Sequence, residues 1–174
     1  MYFSGFCLTN EQELFSKYLQ NNNFTVSGFS FGAIKVVEYT IQAIENKQRI
    51  DKIQLFSPAY FVDKDKKYKR LQLLHFKKNQ QQYIDNFIQN IAYPSKINLT
   101  KYISNGTYDE LEILLNYTWD KSTLKQIINN NIKIEVFLGS DDIIINSLLA
   151  KQFFKEFATV YLIKNSGHIL HEPN

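Results

Sequence analysis

The sequence predicts an α/β protein with about five parallel strands in a three-layer αβα sandwich and a helical cap inserted between two strands. Three observations predict it. Short apolar runs recur near residues 1–6, 24–28, 52–56, 132–138 and 159–163, each bounded by turn residues and too short for a helix. Segments with apolar residues at helical spacing separate them, as parallel strands joined by crossovers require. The chain of 174 residues is 44% hydrophobic with only three prolines and no linker, so residues 1–174 are expected to form one domain.

The first run, Met1-Tyr2-Phe3, leads into a loop containing Ser4, Gly5, Phe6 and Cys7, and a helix is expected from about residue 10 to 22. The second run carries the most specific signal. Val26-Ser27-Gly28-Phe29-Ser30-Phe31-Gly32-Ala33 takes a short strand through G-x-S-x-G into a helix, the sequence form of a nucleophile elbow. A strand reversing into a helix so abruptly strains the serine, and flanking glycines remove the Cβ atoms that would collide there. Ile34, Val37, Ile41 and Ile44 then mark one face of a helix running to about Lys47. The third run, Ile53-Gln54-Leu55-Phe56, ends in Ser57-Pro58-Ala59.

Residues 60–131 exceed what a crossover needs and contain four helix-like pieces, near 66–78, 80–92, 108–117 and 121–129. A cap over the carboxyl edge of the sheet is expected from them. It would enclose an apolar pocket that Tyr83, Phe87, Tyr117 and Trp119 could line, unless these aromatics simply pack the cap onto the core. The fourth run ends in Gly139-Ser140-Asp141-Asp142, and the fifth in Lys164-Asn165-Ser166-Gly167-His168.

A nucleophilic serine needs a base, and the base an orienting carboxylate. Ser30, an Asp after the fourth strand and His168 supply these types in chain order. Each feature has an ordinary reading too: a plain βα turn, a solvated acidic turn, an idle histidine. Their joint occurrence after successive strands favours the chemical one, and His75 and His171 do not follow a strand at the right distance.

These residues resemble those of the α/β-hydrolases. Gly139-Ser140-Asp141-Asp142-Ile143-Ile144 resembles the family's acid turn with Asp142 as the acid, Asp141 remaining a second choice, and Ser166-Gly167-His168 resembles its base turn. Ser57-Pro58-Ala59 also has a family counterpart. The resemblance implies catalytic residues Ser30, Asp142 and His168, with an oxyanion hole from the amides of Phe6 and Phe31; Ser4 stands where a histidine is frequent. It also implies a pared-down sheet, lacking the family's strands ahead of Met1 and the strand and helix before the elbow.

Charge is unevenly placed. Of the net +3, residues 63–78 carry +5, seven Lys or Arg against two Asp, leaving −2 elsewhere. At helical spacing Lys66, Arg70 and Lys77 share one sector with Lys67 and Lys78 beside them, suited to an acidic partner or simply a solvated face. No nucleic-acid motif accompanies the patch. A short capped chain with a basic lid resembles the small pimeloyl-[acyl-carrier protein] methyl ester esterases of biotin synthesis. That resemblance implies an acyl carrier protein as partner, bound through Lys66, Lys67, Arg70 and Lys77, and hydrolysis of a distal methyl ester without a cofactor. The alternatives are an esterase or thioesterase for small acyl compounds and a non-catalytic binding protein on a hydrolase scaffold. One cysteine, three histidines and no long apolar run argue for a reducing compartment, no metal cluster and no membrane span; a cytoplasmic monomer is expected.

Overall fold

The computed structural model describes residues 1–173. Strands β1 (Tyr2–Phe3), β2 (Thr25–Phe29), β3 (Lys52–Phe56), β4 (Lys133–Gly139) and β5 (Thr159–Ile163) form one all-parallel sheet in the order β1-β2-β3-β4-β5. Each lies at an expected run, but the first is only two residues long. Helices α1 (Phe31–Glu45), α5 (Lys121–Asn129) and α6 (Ser147–Phe154) carry the crossovers, and α2 (Lys66–Lys78), α3 (Gln80–Ala92) and α4 (Tyr108–Asn116) belong to the cap.

Strand periodicity separates the two faces of the sheet. Phe3 packs on Tyr39 of α1, and a Cβ on Gly28 would meet Gly32 and Val36, so this face takes α1. On the other face Phe29, Phe56, Phe137 and Tyr161 stand opposite one another in register. Phe15 stacks on Phe56 at 4.7 Å and lies 4.9 Å from Phe29, while Tyr18 lies 5.4 Å from Phe137. Toward the amino ends this face becomes polar: Gln54 Nε2 donates to Glu135 Oε2 at 2.9 Å, and Lys52 pairs with Glu135 at 2.6 Å.

The segment supplying Phe15 and Tyr18 is where the expected helix of residues 10–22 should lie. It forms only a 3₁₀ helix, Glu11–Phe15, followed by turns. Asn10 enters it at φ 57°, and Glu11 and Phe15 are both buried. No strand intervenes between it and β2 among the described residues. Successive strands step the same way across the sheet, so this connection, lying opposite α1, has the opposite hand to the α1 crossover. Parallel crossovers are right-handed in about 98% of cases.

Candidate active site

The carboxyl ends of β2, β4 and β5 converge on Ser30. Ser30 adopts φ 51°, ψ −110°, outside the comfortable range of a residue with a Cβ. Its backbone is held on both sides. Its N–H donates to Phe56 O at 2.9 Å, and its carbonyl accepts from Ala33 N at 3.1 Å and Ala59 N at 3.2 Å. The elbow also depends on close backbone approach: a Cβ on Gly28 would lie 2.5 Å from Gly32 O, and one on Gly32 would overlap the Phe3 carbonyl.

Ser30 occupies the N-cap position of α1, where a serine hydroxyl ordinarily accepts from the first turn of the helix. Here it does not. Each of α2 to α6 has such a bond, from Asp65, Asn79, Thr107, Asp120 and Asn146 respectively, whereas Ser30 makes none. Its Oγ–H instead donates to His168 Nε2 at 3.1 Å, and His168 Nδ1–H donates to Asp142 Oδ2 at 2.7 Å. Asp142 Oδ1 accepts from Ile144 N at 2.8 Å and Ile145 N at 3.1 Å, which fixes the carboxylate. The side chains of His168 and Asp142 are 0% exposed. Asp141 points elsewhere, accepting from Ser140 Oγ–H at the surface, so of the two candidate acids Asp142 is the one that meets the histidine.

The loops presenting the acid and the base are tied together. Asp141 N donates to Ser166 O at 2.9 Å, Asn165 N to Ser140 Oγ at 2.9 Å, and Gly139 leaves no room for a Cβ beside Ser166 and Gly167. Ser57, beyond the end of β3, donates its hydroxyl to His168 O at 2.6 Å, and Phe29 lies 5.0 Å from the imidazole. Neither residue figured as a site residue in the sequence. Ser57 was visible only as part of Ser57-Pro58-Ala59, without a partner to give it a role.

The Phe6 and Phe31 amides lie in the loop after β1 and at the first position of α1, and neither donates to an acceptor among the described residues. Leu8 N donates to Gly5 O at 3.2 Å with Cys7 at φ 57°, so residues 5–8 form a tight turn. The other histidines lie away from Ser30. His171 Nε2–H donates to Leu14 O at 2.8 Å, and His75 is exposed on α2.

Ser30 is 3% exposed, and the cap packs on the neighbouring Phe6. Phe6 lies 6.0 Å from Phe76 and 5.6 Å from Phe87. Cavities of about 370 Å³ and 400 Å³ lie on the cap, but neither is lined by Ser30 or His168. The aromatics considered for a pocket above the nucleophile have other roles. Tyr83 and Phe87 line depressions between α2 and α3, and Trp119 donates Nε1–H to Ala59 O at 2.8 Å while packing edge-on against Tyr117 and Phe154. The 400 Å³ groove is lined on α2 by Lys66, Lys69, Arg70, Leu73, Leu74 and Lys77 and on α4 by Tyr108, Glu112 and Asn116, and Lys67 is not in its lining. None of these cations has an acidic partner within ion-pair distance among the described residues.

Solved structures of similar fold include an esterase of Exiguobacterium antarcticum (16% identity, TM-score 0.62, covering 90% of this chain and 63% of that one). A bromoperoxidase of Bacillus anthracis matches at 18% identity and TM-score 0.61, over 92% of this chain and 65% of that one. The fold is that of the α/β-hydrolases. A carboxylesterase of the thaumarchaeon Nitrososphaera gargenis matches at 16% identity and TM-score 0.56, over 84% and 58% of the two chains. This chain therefore spans less than two thirds of the length of each. No protein-family model matches it, and no curated protein matches it by sequence. Among the described residues, no helix is long and apolar enough to cross a membrane, and no three His, Cys, Asp or Glu side chains gather as a metal site needs.

Chemically, the arrangement can activate Ser30 Oγ. An imidazole accepting its proton, with the other ring nitrogen held by a buried carboxylate, is the hydrogen-bond order that makes a serine nucleophilic.

Proposed function

We propose that the protein is a serine carboxylesterase working through Ser30, His168 and Asp142. One observation carries this reading: Ser30 forgoes the helix cap its position offers and donates to a buried imidazole held by a buried carboxylate. His168 takes the hydroxyl proton as Oγ attacks the ester carbonyl, and Asp142 stabilises the imidazolium that forms. The amides of Phe6 and Phe31 receive the developing oxyanion, a role in which loss of one donor costs about a hundredfold to a thousandfold in rate. His168 then protonates the leaving alkoxide, and water attacks the acyl enzyme with His168 as base.

For the substrate we propose an acyl chain delivered by an acidic carrier, in particular the methyl ester of a carrier-bound pimeloyl chain, cleaved to the free carboxylate and methanol. The groove sets four cations, without ion-pair partners among the described residues, against one carboxylate, Glu112, beside apolar neighbours; this supports a carrier rather than a free small ester, because a net-positive surface attracts an acidic partner and offers it contact area. The test compares purified protein on carrier-linked methyl pimelate and on p-nitrophenyl acetate. Preference for the carrier-linked ester in kcat/KM supports the proposal. Brisk turnover of the chromogenic ester with none of the carrier-linked one leaves a small-ester esterase, and no turnover of either removes the enzyme reading.

A further inference from the structure

Glu11 is 0% exposed, and among the described residues no Lys, Arg or His side chain lies within ion-pair distance of it. Burying a carboxyl group without a cation is costly, so its position calls for a reason beyond stability. Its bonds are specific. Oε1 accepts the Gly5 N–H at 2.8 Å and the Tyr2 hydroxyl at 3.1 Å, and Oε2 has no partner. The Tyr2 phenol is pushed far above its ordinary range, first by burial and then by the neighbouring Glu11 charge and hydrogen bond.

Both donors belong to the stretch that sets the Phe6 amide. Gly5 N–H is held by Glu11, and Gly5 C=O accepts from Leu8 N at 3.2 Å, so Gly5 is fixed on both sides. In a trans peptide the C=O and the following N–H point in opposite directions. Anchoring the Gly5 carbonyl toward Leu8 therefore turns the Phe6 N–H the other way, free of protein acceptors. Without Glu11 the turn is held on one side only, and both Gly5 N–H and the Tyr2 hydroxyl lose their buried acceptor.

We propose that Glu11 is a positioning residue: by holding the Ser4–Gly5 peptide it fixes one side of Gly5, while Leu8 N holds the adjoining Gly5–Phe6 peptide on the other, so that the Phe6 amide is aimed at the oxyanion. This rests on the serine esterase reading. Misplacing a catalytic group by about 1 Å can cost about a hundredfold in rate. Glu11→Ala should therefore lower kcat on p-nitrophenyl acetate about tenfold to a hundredfold, with KM within about twofold. It should weaken binding of a trifluoromethyl ketone, whose adduct with Ser30 carries an oxyanion, by the same factor. Glu11→Gln keeps the Oε1 acceptor and should restore kcat to within about threefold of the parent. Where Glu11→Ala does not fold, Glu11→Asp, whose carboxyl is withdrawn by one methylene, should lower kcat about fivefold. The proposal is overturned if Glu11→Gln is as impaired as Glu11→Ala, if the ketone binds all variants equally, or if activity falls only with the folded fraction seen by circular dichroism. Ser30→Ala separates the two levels. If it is inactive while Glu11→Ala keeps full kcat, the Glu11 assignment alone fails; if it is fully active, the esterase reading fails and the Glu11 role with it.

Discussion

Around Ser30, backbone packs against backbone: Gly28 against Gly32, Gly32 against Phe3, Gly139 against Gly167, with the serine held by Phe56, Ala33 and Ala59. Over the cap the packing is of another kind. There α2 and α4 leave a groove of about 400 Å³ between them, Leu71 and Leu74 of α2 are 41% and 49% exposed, and six cations without an ion-pair partner among the described residues stand along one helix. On the proposed esterase reading, the contrast is a division of labour. Reacting groups need positions fixed to a fraction of an ångström, which rigid close packing supplies; a surface that must admit and dismiss a substrate needs contacts that can be broken.

If this division holds, changes in the two regions should differ in kind. The largest effect is expected from Asp142→Asn, which keeps the shape of the site but offers His168 Nδ1 an amide and so favours the wrong tautomer; kcat should fall by about four orders of magnitude. Steady-state hydrolysis of p-nitrophenyl acetate checks this, and Asp141→Asn, whose carboxylate faces solvent, should change it by less than about twofold.

Gly32→Ala comes next and strikes the scaffold. Its methyl would collide with the Phe3 carbonyl, backbone that cannot yield without shifting β1, so a loss of about 3 kcal/mol and a Tm about 6–12 °C lower are expected by calorimetry. Leu74→Ala on the exposed cap should shift Tm by less than about 2 °C.

Reversing Lys66, Arg70 and Lys77 together to Glu addresses what the cap does. Turnover of p-nitrophenyl acetate should stay within about twofold, while kcat/KM for a carrier-linked ester should fall about tenfold or more, and less so at high salt. Equal effects on both substrates would erase the distinction between the regions.

The smallest effect concerns pH. The Cys7 thiol is pushed up to about 12, first by burial and then by the charge of Glu110, and the Tyr117 phenol to about 12, first by burial and then by Glu38. Both hold their protons more tightly folded than unfolded, where thiols titrate near about 8.5 and phenols near about 10. Their contribution to stability is therefore complete below about pH 8.5 and is lost as pH rises toward 12. A fall of about 1 kcal/mol between pH 8 and pH 10 is expected from urea titrations, smaller in Cys7→Ala.

What could be read from the sequence follows from which features are local. The elbow was legible because strand, glycines, serine and helix lie within eight residues, and β3 and β5 fall on their expected residues because short apolar runs between turns admit little else. Cap helices α2, α3 and α5 likewise begin after Asp65, Asn79 and Asp120, residues whose side chains cap them. The segment of residues 10–22 misled because Glu11 looks like a solvated helix residue, and nothing local shows that its carboxyl turns inward to Gly5. Trp119 and Tyr83 cannot be sorted into pocket or packing from the sequence because their partners lie on other elements, Ala59 sixty residues away and Gln72 on the preceding helix. Two adjacent aspartates were indistinguishable until the tie of Asp141 N to Ser166 O oriented their turn.

The most direct measurement of the central claim is the site of reaction with a fluorophosphonate, located by peptide mass spectrometry in the parent and in Ser30→Ala and His168→Ala. A single adduct on Ser30, absent in Ser30→Ala and formed at least about a thousandfold more slowly in His168→Ala, is the expected result. Failure of the parent to label, or an adduct that persists in Ser30→Ala, would contradict it.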